Sequence, residues 1–504
     1  MENKSSTCSM AVSKTNKLVQ TENMKKVNTT IAIAFLLLKG FTCPAQTVQQ
    51  LTGPLTLKQC VETAIQNNLQ VRQAEYQAQA DKVTYQQAKG NQLPYIAGNI
   101  NHGINQGRSI DPYTNTYASQ QINFANYSIN TSVTIWNGSS IQNYIKQNEL
   151  SAKASELDWQ QAKDNITINV ILAYLQVLSN QEQLNIARNQ VDVSKAQVER
   201  LEILNASGAI APSVLYDLKG QLGTDELSVI AIKNTLESAK VTLAQLMNVA
   251  YSSTVQLENI STDKLIPSLY DGTPDNIYLT ATQQLALVKA AELRKQSAQK
   301  RYLSAKGQLL PTLSFNGAFG TNYSSVASRQ EFLNTVDVST SSYVNVSGSK
   351  VPVFSPQSNY LSQKITYGDQ LTNNFNSSLS LGLQIPILNG LIAKSRVNQA
   401  KILEKRTEFE ANTVKTQLRQ SIDQAYINMN TALDRYITLV RQLDAFTNSF
   451  KAAEIRFNAG VNSSVEYLIA KNNVDRTNSN FVAAKYDYLL RSKVLDFYQG
   501  RLTW

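Results

Sequence analysis

Apolar residues along this chain follow two different periods, and the places where one gives way to the other mark out its elements. From Gly138 to Gly208, and again from Gly390 to Gly460, 69 residues intervene without a glycine or a proline. Inside the first stretch Leu184, Ala187, Val191, Ser194, Val198 and Leu201 keep the alternating three-and-four spacing of a coiled-coil seam. Adding 252 to each number gives Tyr436, Leu439, Leu443, Phe446, Phe450 and Ala453, so the second stretch buries the same face. At about 1.5 Å rise per residue, each stretch predicts a helical rod of roughly 100 Å, several times the width of a small domain.

Ahead of each rod the period changes to two. Tyr127, Ile129, Thr131, Val133 and Ile135 alternate with Ser128, Asn130, Ser132 and Thr134. In the same way Leu379, Leu381, Leu383, Ile385 and Ile387 alternate with Ser380, Gly382, Gln384 and Pro386. Both predict strands that are apolar on one side only. A partner strand is expected just after a proline in each half, around 95–105 and 312–320. The polar segments between paired strands, 106–121 and 321–372, read as loops, with Pro352 and Pro356 breaking any regular element in the longer one.

These patterns occur twice. Ala173-Tyr174 and Ala425-Tyr426 coincide at the offset of 252, whereas AKGNQLP (88–94) and AKGQLLP (305–311) coincide at 217, as do Ala74-Glu75 and Ala291-Glu292. The difference of 35 residues places an insertion in the second copy between Pro311 and Gly390. The chain is read as a duplication: repeat 1 over 46–262 with strands at about 95–137, and repeat 2 over 263–504 with strands at about 312–389.

Composition narrows this further. At 504 residues about three soluble domains would be expected, yet no proline lies between Pro112 and Pro212 or after Pro386, so helix-tolerant sequence runs across the places where linkers would sit. The formal charge of +10 falls to about +6 once residues 1–45, with six Lys and two Glu, are set aside, and no basic cluster with interleaved aromatics follows. Nucleic acid is therefore not an expected partner. Residues 1–45 read as a signal peptide with an N-terminal extension: Lys25 and Lys26 precede the apolar run from Ile31 to Leu38, Ala45 fits a cleavage site, and Met24 is an alternative start. A transmembrane anchor is disfavoured because the run is short. Cleavage after Ala45 leaves Cys60 as the one thiol and excludes an intrachain disulfide, while Cys43 raises the alternative of lipidation without a good lipoprotein box around it.

Four strands of ten to fifteen residues can cross a bilayer but cannot close a barrel, and open edges are not tolerated in lipid. Either the sheet is soluble or several chains share one barrel; three copies would supply twelve strands. Catalytic chemistry finds no foothold. His102 stands alone in a predicted strand, no phosphate loop or nucleophile elbow occurs, and no catalytic residue, cofactor or metal site is assigned.

Taken together, the chain resembles the TolC family of trimeric outer-membrane efflux and secretion channels over essentially all of residues 55–500. RFNAGVNSSVEYLIAKNN (456–473) is similar to the family's periplasmic hairpin tip, and RLEILNASGAIAPSVLYDL (200–218) is its counterpart in repeat 1. The ending AKYDYLLRSKVLDFYQG (484–500) and the GRSIDP loop (107–112) look like the Bacteroidetes branch. The resemblance implies an α+β membrane protein. Long antiparallel coiled-coil helices would form a periplasmic tunnel, and four strands per chain would join a shared twelve-stranded trimeric outer-membrane barrel. It implies a passive channel, not an enzyme, working as a homotrimer in outer-membrane lipid with a periplasmic adaptor (membrane fusion protein) and an inner-membrane transporter, in a tripartite efflux pump or type I secretion system.

Carried over by position, the adaptor-docking tips are Ser207, Gly208, Ala209 and Ile210, and Ala459, Gly460 and Val461. Ala459 stands where the family often has valine, and one extra residue follows Gly208. The charges flanking the turns, Arg200, Asp217, Arg456, Glu466, Lys471 and Asp475, are candidates for a gate, with Arg456, Asp217 and Glu466 foremost. The bland readings are that the glycines only cap helices and that the charges are solvated. The rival class is a periplasmic coiled-coil structural or adaptor protein without a membrane barrel, which leaves the one-sided strands without a purpose. No residue names a cargo.

Overall fold

The computed structural model describes residues 54–110, 115–119, 121–259 and 268–501. The predicted signal peptide, Met24, Cys43, residues 111–112 of the GRSIDP loop and the predicted repeat boundary at 262/263 lie outside them. In chain order the first half comprises β1 (Pro54–Leu55), α1 (Leu57–Asn67), α2 (Leu69–Gly90), β2 (Tyr95–Asn105), β3 (Arg108–Ile110), β4 (Tyr117–Ser119), β5 (Ile122–Trp136), α3 (Ser140–Ala206), α4 (Pro212–Met247) and β6 (Gln256–Leu257). The second comprises α5 (Pro274–Gln284), α6 (Ala286–Gly307), β7 (Thr312–Ser324), β8 (Ser328–Val346), β9 (Ser349–Lys364), α7 (Tyr367–Asn373), β10 (Asn376–Gln384), α8 (Ile392–Asn458) and α9 (Ser464–Tyr498).

Both rods form without interruption. Helices α3 and α8 have 67 residues each and start and end 252 positions apart, because neither contains a residue that breaks the backbone ladder. The seam lies where the spacing puts it: Leu184, Ala187, Ser194, Val198 and Leu201 are buried in α3, as are Tyr436, Leu439 and Ala453 in α8. Partway along the bundle, Ile277 and Ala281 of α5 and Val288 of α6 meet Leu418, Ile422, Met429 and Leu433 of α8 and Leu495 of α9 in one apolar cluster. In the first half Tyr174 is fully buried and its hydroxyl donates to the carbonyls of Leu55 and Glu258, at 3.1 and 2.7 Å, fastening the parallel pair β1–β6 to α3. Cys60 is buried and free, and burial pushes its thiol up to about 12, so it has little thiolate character.

The predicted strands form one antiparallel sheet in the order β2-β5-β7-β10. The register separates its faces. One cross-strand row is Ile96, Thr131, Gly317 and Leu379, and the same side carries Ile129 with Phe319, and Val133 with Phe315 and Leu381. The opposite side carries Asn99, Ser128, Gly320 and Asn376 in one row and Ala97, Asn130, Ala318 and Ser378 in the next. Period-two alternation has placed most of the large apolar side chains on one surface, where Ile100, Leu379, Leu381 and Leu383 are each more than 60% exposed; Tyr95, Ile122 and Phe124 fall on the opposite side. His102 lies on this apolar side, opposite Ala125, and is exposed.

Three expectations need correction. Residues 328–364 form a long β-hairpin, β8 with β9, instead of a loop. Pro352 and Pro356 both sit within β9, opposite Tyr343 and Asp337. A two-stranded ladder leaves alternate N–H groups of each strand unused, and two prolines four residues apart fall on the same side of the strand, so they need not remove a ladder bond. The shorter segment, 106–121, likewise carries the small pair β3–β4. Finally, β10 stops at Gln384, so the alternating residues Ile385 and Ile387 lie beyond the ladder, where Pro386 cannot donate.

Each rod begins at a tight reversal with two successive residues in the left-handed region, Gly138-Ser139 (φ 63° and 60°) and Gly390-Leu391 (φ 62° and 64°). The two glycines differ in surroundings. A Cβ on Gly138 would lie 2.6 Å from the Gly307 carbonyl oxygen and 2.7 Å from Leu310 Cβ, whereas one on Gly390 meets nothing within 4 Å. Gly138→Ala is therefore expected to cost about 2 kcal/mol or more from strain plus clash, and Gly390→Ala only about 1 kcal/mol from the left-handed backbone. Thermal unfolding of the detergent-purified variants checks the ranking, with equal losses contradicting it.

Candidate functional site

Two helix reversals, at 207–211 between α3 and α4 and at 459–463 between α8 and α9, are brought side by side at one end of the helical bundle. They have the same length, so the residue after Gly208 does not lengthen the first turn relative to the second. Each helix ends in the same way. Gly208 (φ 70°) and Gly460 (φ 75°) take the left-handed conformation, and the next amide reaches back across the last turn, Ala209 N–H to the Leu204 carbonyl at 2.8 Å and Val461 N–H to the Arg456 carbonyl at 2.9 Å. Glycine is needed there for its backbone. Around both glycines, however, nothing lies within 4 Å of a built Cβ. The chain itself thus leaves these turns open to a close partner.

Of the tip residues, Ser207, Gly208, Ala209, Ala459, Gly460 and Val461 are exposed, the apolar Val461 by 74%. Ile210 is half-buried and packs inward, against a cluster built from both hairpins. That cluster joins Val198, Leu201, Leu215 and Leu218 to Phe457 and Tyr467, the last two rings stacked at 4.7 Å.

Polar contacts repeat the pairing of the two hairpins. The Arg200 guanidinium reaches across to the Asn458 side chain and to its carbonyl at 3.1 Å, and the Ser464 hydroxyl donates to Asp217 at 3.0 Å. Arg456 behaves differently: it is exposed and, among the described residues, its side chain has no ion-pair or hydrogen-bond partner. Glu466 supplies its amide to the Ser463 hydroxyl that caps α9, which also sets an acidic side chain in that helix's first turn.

Lys471 and Asp475 are not solvated end charges. The Lys471 ammonium, 2% exposed, donates to Asp225 of α4 at 2.8 Å and to Asp475 at 2.6 Å. Asp225 also accepts from the Ser194 hydroxyl of α3 and from Gln221 Nε2 at 2.8 Å. One buried lysine therefore ties the second hairpin to both helices of the first. Burial holds the Asp475 carboxyl above its usual range, against the pull of Lys471. Asp225 and Gln221 had no signal in the sequence, and Ser194 had only its place in the buried seam: acid and lysine are 246 residues apart, and only the folded bundle makes them neighbours.

Among the described residues no group of His, Cys, Asp and Glu is placed to hold a metal ion, and no helix is long and apolar enough to cross a membrane. Paired helical hairpins with open glycine turns, carried on the same chain as a sheet with one bare apolar face, define a membrane channel subunit. The chain belongs to the family described as outer membrane efflux protein, whose model matches residues 60–249 and 278–501, thus both halves of the duplication. It is similar to the outer membrane protein TolC of Vibrio cholerae, 21% identical over 400 residues that cover 79% of this chain and 80% of that protein. The fold is that of solved channels. A structure of CusC has a TM-score of 0.71 at 14% identity, with 90% of this chain and 95% of that one covered. The CmeC outer membrane channel of Campylobacter jejuni has a TM-score of 0.69 at 15% identity, covering 91% and 90%. The protein is accordingly an outer-membrane efflux channel and not an enzyme, and the reading as a soluble adaptor is set aside.

Removing Lys471 alone would leave two buried carboxylates facing each other. Lys471→Met is expected to destabilise the hairpin pair by about 3 to 5 kcal/mol, and K471M/D225N/D475N to recover much of it. The sign for Asp475 follows from its raised value. Its contribution is whole below the ordinary carboxylate pKa of about 3.9 and is lost as pH rises through the folded value. Acidification from neutrality should therefore not release the hairpins through this group. Limited proteolysis of the tips at pH 7 and pH 5 measures both effects; faster cleavage of the parent protein at pH 5 would contradict the second.

Proposed function

We propose that three copies of this chain close one twelve-stranded barrel in the outer membrane and that their helices form a continuous periplasmic tunnel through which substrate passes unmodified. The observation that carries this reading is the sheet with one apolar face and two free edges, β2 and β10. Within the sheet successive strands are antiparallel, so β10 of one chain beside β2 of the next continues the alternation without a break. Closure supplies every edge N–H and C=O with a partner, which lipid requires, and a polar inner face suits a water-filled lumen. The division into repeats at 46–262 and 263–504 belongs to the same reading.

The tips are the docking surface for a periplasmic adaptor that couples the channel to an inner-membrane transporter. Gly208 and Gly460 support it because their open surroundings serve no packing purpose inside the chain. Arg456 is the gate residue that fits best: lacking a partner among the described residues, it is free to bind a carboxylate of the neighbouring protomer, while Asp217 and Glu466 hold the local turn. In this arrangement Arg200 and Lys471 fix the hairpins within one chain and Arg456 acts between chains.

Purified in mild detergent, the protein is expected to have the mass of a homotrimer and to contain detergent-requiring β structure; a water-soluble monomer would overturn the proposal. Gly460→Asn, which tolerates the left-handed backbone, should keep both trimer and transport. Gly460→Leu should keep the trimer and lose transport at least tenfold, together with adaptor cross-linking. Arg456→Ala should raise single-channel conductance in planar bilayers, and an unchanged conductance removes Arg456 from the gate.

A further inference from the structure

Charge is segregated along the sheet in a way that conduction does not explain. Four short segments lead into or out of the strands at the helical end: 83–96, 137–145, 296–311 and 385–400. Together they contain six Lys and Arg (Lys89, Lys300, Arg301, Lys306, Lys394 and Arg396) and no Asp or Glu. At the other end of the sheet acids and bases are mixed, with Arg329, Glu331, Asp337, Lys350, Lys364 and Asp369 in the β8–α7 region. Elsewhere in the helices about half of the lysines and arginines are in ion pairs, as Lys153 is with Glu149 and Lys295 with Glu408. Among the described residues none of the six junction cations is in an ion pair.

Part of this cationic belt is duplicated. The AKG motifs that end α2 and α6 place Lys89 over the Tyr85 ring at 4.4 Å and Lys306 over the Tyr302 ring at 5.7 Å. Between α3, α6 and α8, a cleft of about 560 Å3 is lined by Tyr144, Asn148, Arg301, Ser304, Gln308 and Arg396. Gln308 accepts from Arg396 at 3.3 Å and so steadies that guanidinium without neutralising it. The depth is informative. Arg301 lies six residues before the end of α6, and Arg396 is the fifth residue of α8, which is within about 9 Å of the helix ends along their axes. Leu309, Leu310, Leu388 and Leu391, which adjoin the same junctions in sequence, are exposed.

We propose that this cleft binds the phosphate of an anionic phospholipid in the inner leaflet of the outer membrane, with Arg301 and Arg396 as its direct ligands. The remaining junction cations form a wider belt that favours the same headgroups. Guanidinium pairs suit phosphate oxygens, because each presents a planar fork of N–H donors. A basic pocket at headgroup level beside exposed leucines matches a molecule with an anionic head and an apolar tail, and a free anion would use only the first half of it. The inference rests on the reading that the β2-β5-β7-β10 sheet spans the membrane.

The test uses the full-length protein in neutral detergent and native mass spectrometry. Phosphatidylglycerol, phosphatidylcholine and inorganic phosphate are added separately. Phosphatidylglycerol is expected to bind at least tenfold more tightly than phosphatidylcholine, and 10 mM inorganic phosphate should displace less than half of it. R301Q/R396Q should lose the preference, whereas Lys451→Gln, far along α8, should keep it. Should R301Q/R396Q fail to assemble, K306Q/K394Q is measured in its place and is expected to weaken binding about threefold. Equal binding of the two lipids, an unchanged preference in an assembled R301Q/R396Q, or full displacement by inorganic phosphate would each overturn the proposal. A protein that conducts in planar bilayers yet shows no lipid preference refutes the headgroup site while leaving the channel reading intact.

Discussion

Unsatisfied backbone in lipid is the constraint on which the architecture depends. A strand edge buried in hydrocarbon leaves a row of N–H and C=O groups without partners, at several kcal/mol for each group. This chain makes a sheet of four strands with an uncovered apolar face and with β2 and β10 as free edges. Such a sheet satisfies itself only against further strands, and the antiparallel order already present allows an identical chain to supply them. On the proposed reading, with this sheet in the membrane, assembly is a requirement of the hydrogen-bond ladder.

At the helical end the two hairpins of one chain are held together by few contacts. Apolar packing at the tips is modest, and it is shared between the two hairpins. A buried lysine between two aspartates adds direction to that packing, because it is stabilising only while all three charges stay in register. The reach of Arg200 to Asn458 and the hydrogen bond from Ser464 to Asp217 fix the same relation. Within a protomer the hairpins are therefore held by specific contacts, and the exposed glycine turns remain free of them.

Much of this was legible in residue order. The glycine-free intervals predicted α3 and α8 together with their offset, and the heptad seam predicted their buried faces, because both depend on local backbone preference and on a short repeat. Alternation over Tyr127–Val133 and Leu379–Leu383 gave the strands and their apolar side for the same reason, whereas a register shift at Ile135 sets Trp136 opposite Leu313. Alternation failed at Ile385 and Ile387, where a proline ended the ladder, and composition failed over 328–364. There, polar residues and two prolines suggested a loop, but cross-strand pairing of β8 with β9 decided the matter. Polar hairpins outside a core carry little hydrophobic signal.

The sequence by itself determined the duplication, the lengths of the rods, the alternating faces of the strands and the glycine turns, since each is written in spacings a few residues long. Tertiary structure alone decided which charges are buried and which are free. Lys471 meets Asp225 across 246 positions, Arg200 and not Arg456 contacts the other hairpin, and Arg301 and Arg396 come to line one cleft from two different helices. The physical reason is that electrostatic partnership depends on distance and burial in the folded bundle, and neither is encoded in the local order of residues.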